Sequence, residues 1–148
     1  MKIDYSQMVT ANTIAAESLS LAQTEAKGNI LAAIEAVTDA MTGQVPLAEK
    51  LCWAAKEAAA RSVLAKNASD ADVALISGEA AMTGEASDAL VARIVQSADA
   101  YRGMIATLTG FRRAAEAAIS EARDATDVAR ASEDALKQLA GIAAAAAD

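Results

Sequence analysis

The chain has 148 residues, is 54% hydrophobic with alanine by far the commonest residue, and carries no histidine, one proline, one cysteine and four aromatic side chains. Its net charge is −7, which argues against nucleic acid and anionic membranes as partners, because affinity for both rests on Lys and Arg meeting phosphate. Without histidine, a Ser-His dyad and a His-bearing zinc site are both out of reach, and one cysteine can supply neither an intrachain disulfide nor a thiolate cluster.

Residues 1–9 mix Asp4, Ser6 and Gln7 with Ile3, Tyr5, Met8 and Val9 and read as a short arm, with Tyr5 a candidate docking residue. Acid and hydroxyl groups interrupt any signal-peptide apolar stretch here. Thr10 is placed to cap a first helix. Its stripe runs Ala15, Leu19, Ala22, Ala26, Ile30, Ile34, Val37 and Met41 at three- and four-residue steps. Gly28 threatens a kink, and Thr42-Gly43 supplies a left-handed stop.

Pro46 opens a second helix, where its missing N–H is harmless. The expected buried stripe is Leu47, Leu51, Ala54, Ala58 and Ala65, widened by Trp53, Ala60 and Leu64. Cys52 is expected to be a small buried hydrophobe, since no histidine is present to activate it. Lys66 to Asp70 reads as a turn, with Ser69 or Asp70 capping a short third helix that carries Val73, Ile76 and Ala80. Met82-Thr83-Gly84 ends that helix, and its likeness to Met41-Thr42-Gly43 reads as a reused stop signal rather than a duplicated domain. Met41, Met82 and Met104 are expected to fill the core.

Ser87 is placed to cap the last helix, with Asp88 in its first turn. Leu90, Ile94, Tyr101, Ile105, Leu108 and Phe111 form a strong stripe that thins beyond Gly110 to Ala115, Ile119, Ala122, Ala129, Leu136 and Leu139. Ile94, Tyr101, Leu108, Ala115, Ala122, Ala129, Leu136 and Ala143 follow one another at steps of seven, the spacing of a coiled-coil seam. Asp127 with Arg130 and Glu133 with Lys137 are positioned as helix-surface ion pairs.

The chain is therefore expected to be all-α: an arm over 1–9, a helical bundle over 10–110, and an Ala-rich C-terminal helix over 111–148, with coiled-coil or oligomeric packing. The sequence leaves open whether that last helix continues the one before it. Trp53, Leu64, Ile94, Tyr101, Leu108 and Phe111 are expected to form the core or a subunit interface. No catalytic, cofactor-binding or metal-binding residue stands out. The acid pairs Asp70 with Asp72 and Asp124 with Asp127 fall on turns or charged faces rather than in a cleft, and no run approaches the roughly 18 apolar residues of a spanning helix.

Four stretches carry a family resemblance: Lys50-Leu51-Cys52-Trp53-Ala54-Ala55-Lys56-Glu57-Ala58, Ser77-Gly78-Glu79-Ala80-Ala81-Met82-Thr83-Gly84-Glu85, Ala92-Arg93-Ile94-Val95-Gln96-Ser97-Ala98-Asp99-Ala100-Tyr101, and Leu108-Thr109-Gly110-Phe111-Arg112-Arg113-Ala114-Ala115-Glu116-Ala117-Ala118-Ile119. Together with Ile3-Asp4-Tyr5-Ser6-Gln7-Met8-Val9-Thr10-Ala11, they resemble small alanine-rich proteins of tailed bacteriophages and proteobacterial prophages, while the stretch from Asp124 to Asp148 departs from that pattern. The resemblance implies a tail-associated structural, adaptor or assembly role without enzymatic activity or cofactor. It further implies other tail or fibre proteins as partners, and a location in the virion tail or in the host cytoplasm during assembly; homo-oligomerisation fits the same picture. The rival expectation is a phage protein outside the virion that inhibits a host defence or regulatory factor. A granule-coating helical protein is a third, disfavoured by the small Ala-dominated stripes.

Overall fold

Alanine's helix propensity dominates the backbone. In the computed structural model, which describes residues 10–147, five helices follow one another: α1 (Ala11–Thr42), α2 (Leu47–Leu64), α3 (Asp70–Thr83), α4 (Ser87–Glu121) and α5 (Ala125–Ala147). The described residues contain no strand. The arm over 1–9, including Tyr5, lies outside the described residues.

Helix ends fall where local chemistry stops or starts them. The Thr10 hydroxyl accepts the Thr13 N–H at 3.2 Å, capping α1. Gly43 at φ 65° and Gly84 at φ 72° end α1 and α3 in the same left-handed conformation, so the repeated Met-Thr-Gly word is one stop signal used twice. Pro46 sits one position earlier than expected, as the N-cap of α2, and its carbonyl accepts from the Glu49 and Lys50 N–H groups at 2.9 and 3.1 Å. At α3 the Ser69 side chain and Asp72 form a reciprocal capping box that holds the Asp72 carboxyl below its ordinary pKa, chiefly through the Ser69 backbone N–H. Ser87 is the first helical residue of α4 rather than its cap: the Leu90 N–H reaches the Ala86 carbonyl at 3.0 Å.

The end of α2 uses a less favourable residue. The Lys66 N–H bonds the Val63 carbonyl and the Asn67 N–H bonds the Ser62 carbonyl, each at 3.1 Å, which closes the helix only because Lys66 takes φ 59°. A side chain with a Cβ pays about 1 kcal/mol or more there, whereas glycine does not. Lys66→Gly is expected to raise stability by about 0.5–1 kcal/mol, read as a higher urea midpoint at unchanged slope. A lower midpoint would show that the lysine side chain contributes more than its backbone strain removes.

The chain divides into two compact units, one from residues 1–41 with 107–148 and one over 42–106. In the second, Ala59 and Ala60 of α2, Ile76 and Ala80 of α3, and Leu90 and Val91 of α4 form a buried cluster, with Val63, Ile94 and Val95 packed against it. Small residues let these helices approach closely. In the first unit the buried side chains are Ala26 and Ile30 of α1, Leu108, Phe111, Ala115 and Ile119 of α4, and Val128, Ala135 and Leu139 of α5.

A break at residues 122–124 separates α4 from α5. The Asp124 carboxylate accepts the Asp127 N–H at 2.8 Å and starts a new helix. At the other side of the break, the Gln23 side-chain amide donates toward the carbonyls of Ile119, Ser120 and Ala122 at 3.1, 3.2 and 3.4 Å, adding a donor to carbonyls at the end of α4 and just beyond it. The seven-residue spacing therefore does not run along one continuous helix. Beyond the break the buried line shifts to Val128, Ala135 and Leu139, while Ala129 and Leu136 of the expected seam are exposed.

Candidate functional site

Helix α2 is arranged opposite to its hydrophobic periodicity. Leu47 is 71% exposed and Leu51 74%, and Ala54, Ala58 and Ala65 are exposed with them, so the stripe expected to be core faces outward. Cys52, expected to be buried, is exposed as well. Inward go Glu57, Ala59 and Ala60, with Trp53, Lys56 and Val63 half-buried.

The reason is a set of charge pairs between helices. The Glu57 carboxylate, only 11% exposed, accepts from Arg61 Nε at 2.7 Å one turn along α2 and from Arg102 Nη2 of α4 at 2.8 Å. Arg61 also bonds Asp99 of α4, and these two carboxylates, Glu57 first, hold its guanidinium above its ordinary pKa. Lys56 Nζ lies 2.6 Å from Glu79 of α3. Two guanidinium partners satisfy the lone pairs of a carboxylate that the fold has turned inward. Trp53 adds an edge-on contact with the Tyr101 ring, centroids 6.1 Å apart at 80°. With Glu57 engaged by two arginines, the network orients α2 on α4 rather than presenting a free proton acceptor.

The remaining sequence-selected residues separate by burial. Leu108 and Phe111 are interior, at 3% and 5% exposure, leaving them almost no surface to offer a partner. Ile94 and Tyr101 are half-buried and Leu64 is 59% exposed. Met82, expected to be core, is 89% exposed, and Val73 of the expected α3 stripe is 50% exposed. Asp70 and Asp72 stand at the start of α3, and Asp124 and Asp127 at the start of α5, where Asp72 and Asp124 work as caps. The surface pairs Asp127 with Arg130 and Glu133 with Lys137 form at 3.1 and 2.7 Å.

Sequence reasoning missed the Glu57 network, although Glu57 and Arg61 stand four apart and carry the spacing of a helical ion pair. Shallow open grooves flank α5, one lined by Ala115, Ala118, Ala131 and Ala135, the other by Ala22, Ala26, Val128 and Leu136. Among the described residues no three His, Cys, Asp or Glu side chains are grouped to hold a metal ion, and no helix is long and apolar enough to cross a membrane. Compared with known proteins, the chain matches no family model, no curated protein and no solved structure.

Proposed function

We propose that this chain is a non-enzymatic structural, adaptor or assembly protein of a phage or prophage tail region, working by association through its helix faces. The observation that carries the reading is the inverted α2, which holds Lys56, Glu57 and Arg61 against α3 and α4 and turns Leu47 and Leu51 outward. Large apolar side chains grouped on a surface mark a place where another molecule binds. The tail assignment is supported by the resemblance of the stretches over 50–58, 77–85, 92–101 and 108–119, which fall on α2, the end of α3 and α4.

The test is fractionation of particles from producing cells, with this chain quantified by mass spectrometry in finished tails, in assembly intermediates and in the soluble fraction. Fixed stoichiometry in finished tails supports a structural component, and presence in intermediates alone supports an assembly factor. Absence from both, with one stoichiometric host protein captured instead, replaces the proposal with inhibition of a host factor.

A further inference from the structure

Helix α2 has two sides that are each able to face inward. Leu47, Leu51, Ala54 and Ala58 form a stripe at helical steps with no charge among them, and this stripe faces water. On the opposite side Trp53, Lys56, Ala60 and Val63, with Glu57 and Ala59 beside them, meet α3 and α4. A seating that opposes a helix's own pattern is expected chiefly at functional or strained places.

We propose that α2 is a charge-latched helix with two seatings: the observed one, and one turned about its axis by roughly half a circle, with the leucine stripe against α3 and α4 and Lys56, Glu57 and Arg61 in water. This deepens the reading that the chain works by association, because the latch sets whether Leu47 and Leu51 are offered or withdrawn. It does not depend on the tail assignment.

The latch is ionic. Glu57 pairs with Arg61 and with Arg102 of α4, Arg61 pairs with Asp99 of α4, and Lys56 pairs with Glu79 of α3. Pairs taken out of water fix an orientation more than they add stability, because desolvation offsets much of their attraction. Turning α2 strands none of its charges, since Lys56, Glu57 and Arg61 move out to water while Asp99 and Arg102 are already exposed. The Arg61 and Arg102 side chains, 40% and 64% exposed, leave the latch reachable from outside.

The turned helix also has a side that fits. Close approach now rests on Ala59 and Ala60, and Ala54 and Ala58 offer the same small side chains on the other side. Leu47 and Leu51 gain the burial that they lack in the observed seating.

Both ends of α2 allow the movement. Residues 43–46 and 65–69 are not helical, so each connection has backbone free to follow a turn. Gly43 takes its positive φ without cost, whereas Lys66 is held at φ 59° against its own Cβ, and the second connection gives up that strain when it moves.

The test is the rate of thiol labelling at Ala60→Cys in the full chain, with Cys52→Ser to remove the native thiol and far-UV circular dichroism as the fold control. Position 60 is buried in the observed seating, so labelling reports how often α2 leaves it. Arg102→Gln and Glu57→Gln each take a charge-assisted hydrogen bond from the latch, and labelling at 60 is expected to speed up by roughly 10- to 100-fold at unchanged helicity. Adding Leu51→Gln to either chain removes the apolar pull of the turned seating and is expected to slow labelling again by about 10-fold or more. Should cysteine at 60 lower the helicity, Val63→Cys on the same side takes its place, and should Glu57→Gln do so, Arg102→Gln decides. Labelling that does not speed up overturns the proposal. So does a gain that Leu51→Gln leaves in place, because α2 would then be lifting away rather than turning. Neither result touches the tail assignment, which the particle fractionation decides separately.

Discussion

Leu90→Ala is expected to lower the unfolding free energy by about 3 kcal/mol, within the range measured for buried leucines. Leu90 has no exposed surface and sits in the cluster with Ile76, Val91 and three alanines, Ala59 and Ala60 of α2 and Ala80 of α3. The loss has two parts: the transfer free energy of the removed carbons, and the cavity they leave. Relaxation will not fill that cavity, because Ala59, Ala60 and Ala80 have no side-chain rotamers with which to reach into it. Urea unfolding followed by circular dichroism measures the change, with Leu21→Ala as the exposed comparison, expected within about 0.5 kcal/mol of wild type. A loss below about 1 kcal/mol at Leu90 would mean that the helices close over the gap.

Leu108→Asp is expected to have the larger effect, about 4 kcal/mol or more at pH 7, because it places an ionised carboxylate at a position 3% exposed. Leu108→Ala isolates the lost packing, so the difference between the two variants reports the buried charge. That difference has a pH signature. Burial raises the introduced carboxyl's pKa in the folded state above its unfolded value, so the charge penalty is absent below the unfolded pKa and grows as pH rises toward the folded one. The two variants should converge near pH 4 and separate at pH 7. The native carboxylates of Asp72, Glu85 and Glu133 run the other way. Their pKa values are lowered by the Ser69 N–H, Arg93 and Lys137 respectively, so the stability they add is present at neutral pH and lost in acid. Equal stability of Leu108→Asp and Leu108→Ala at pH 7 would show that water reaches this position.

Gly43, Pro46, Ser69 and Gly84 announce helix ends from a few neighbouring residues, and each marks one in the structure. The break before α5 was harder to read. No glycine or proline marks it, and its signal is Asp124 three residues before Asp127, both of which also suit an exposed helical face. The orientation of α2 could not be read from α2 alone. Its leucine stripe is the stronger periodic signal, but the partners that turn the other side inward are Glu79 and Arg102, the latter 45 residues from Glu57. Periodicity identifies an amphipathic helix, and distant partners decide which side faces in. That is why Leu47, Leu51 and Cys52 lie outside and the acid Glu57 lies within.

The Gln23 amide and the Ile119 carbonyl are separated by 96 residues, which has a consequence for synthesis. The 42–106 unit is contiguous and closes through nearby segments, whereas the other unit draws on both ends of the chain. At about 5–20 residues per second, roughly 5–20 s pass between translation of Gln23 and of its acceptors. During that interval α1 has neither the end of α4 nor α5 beside it, so its own unit is the last that can close.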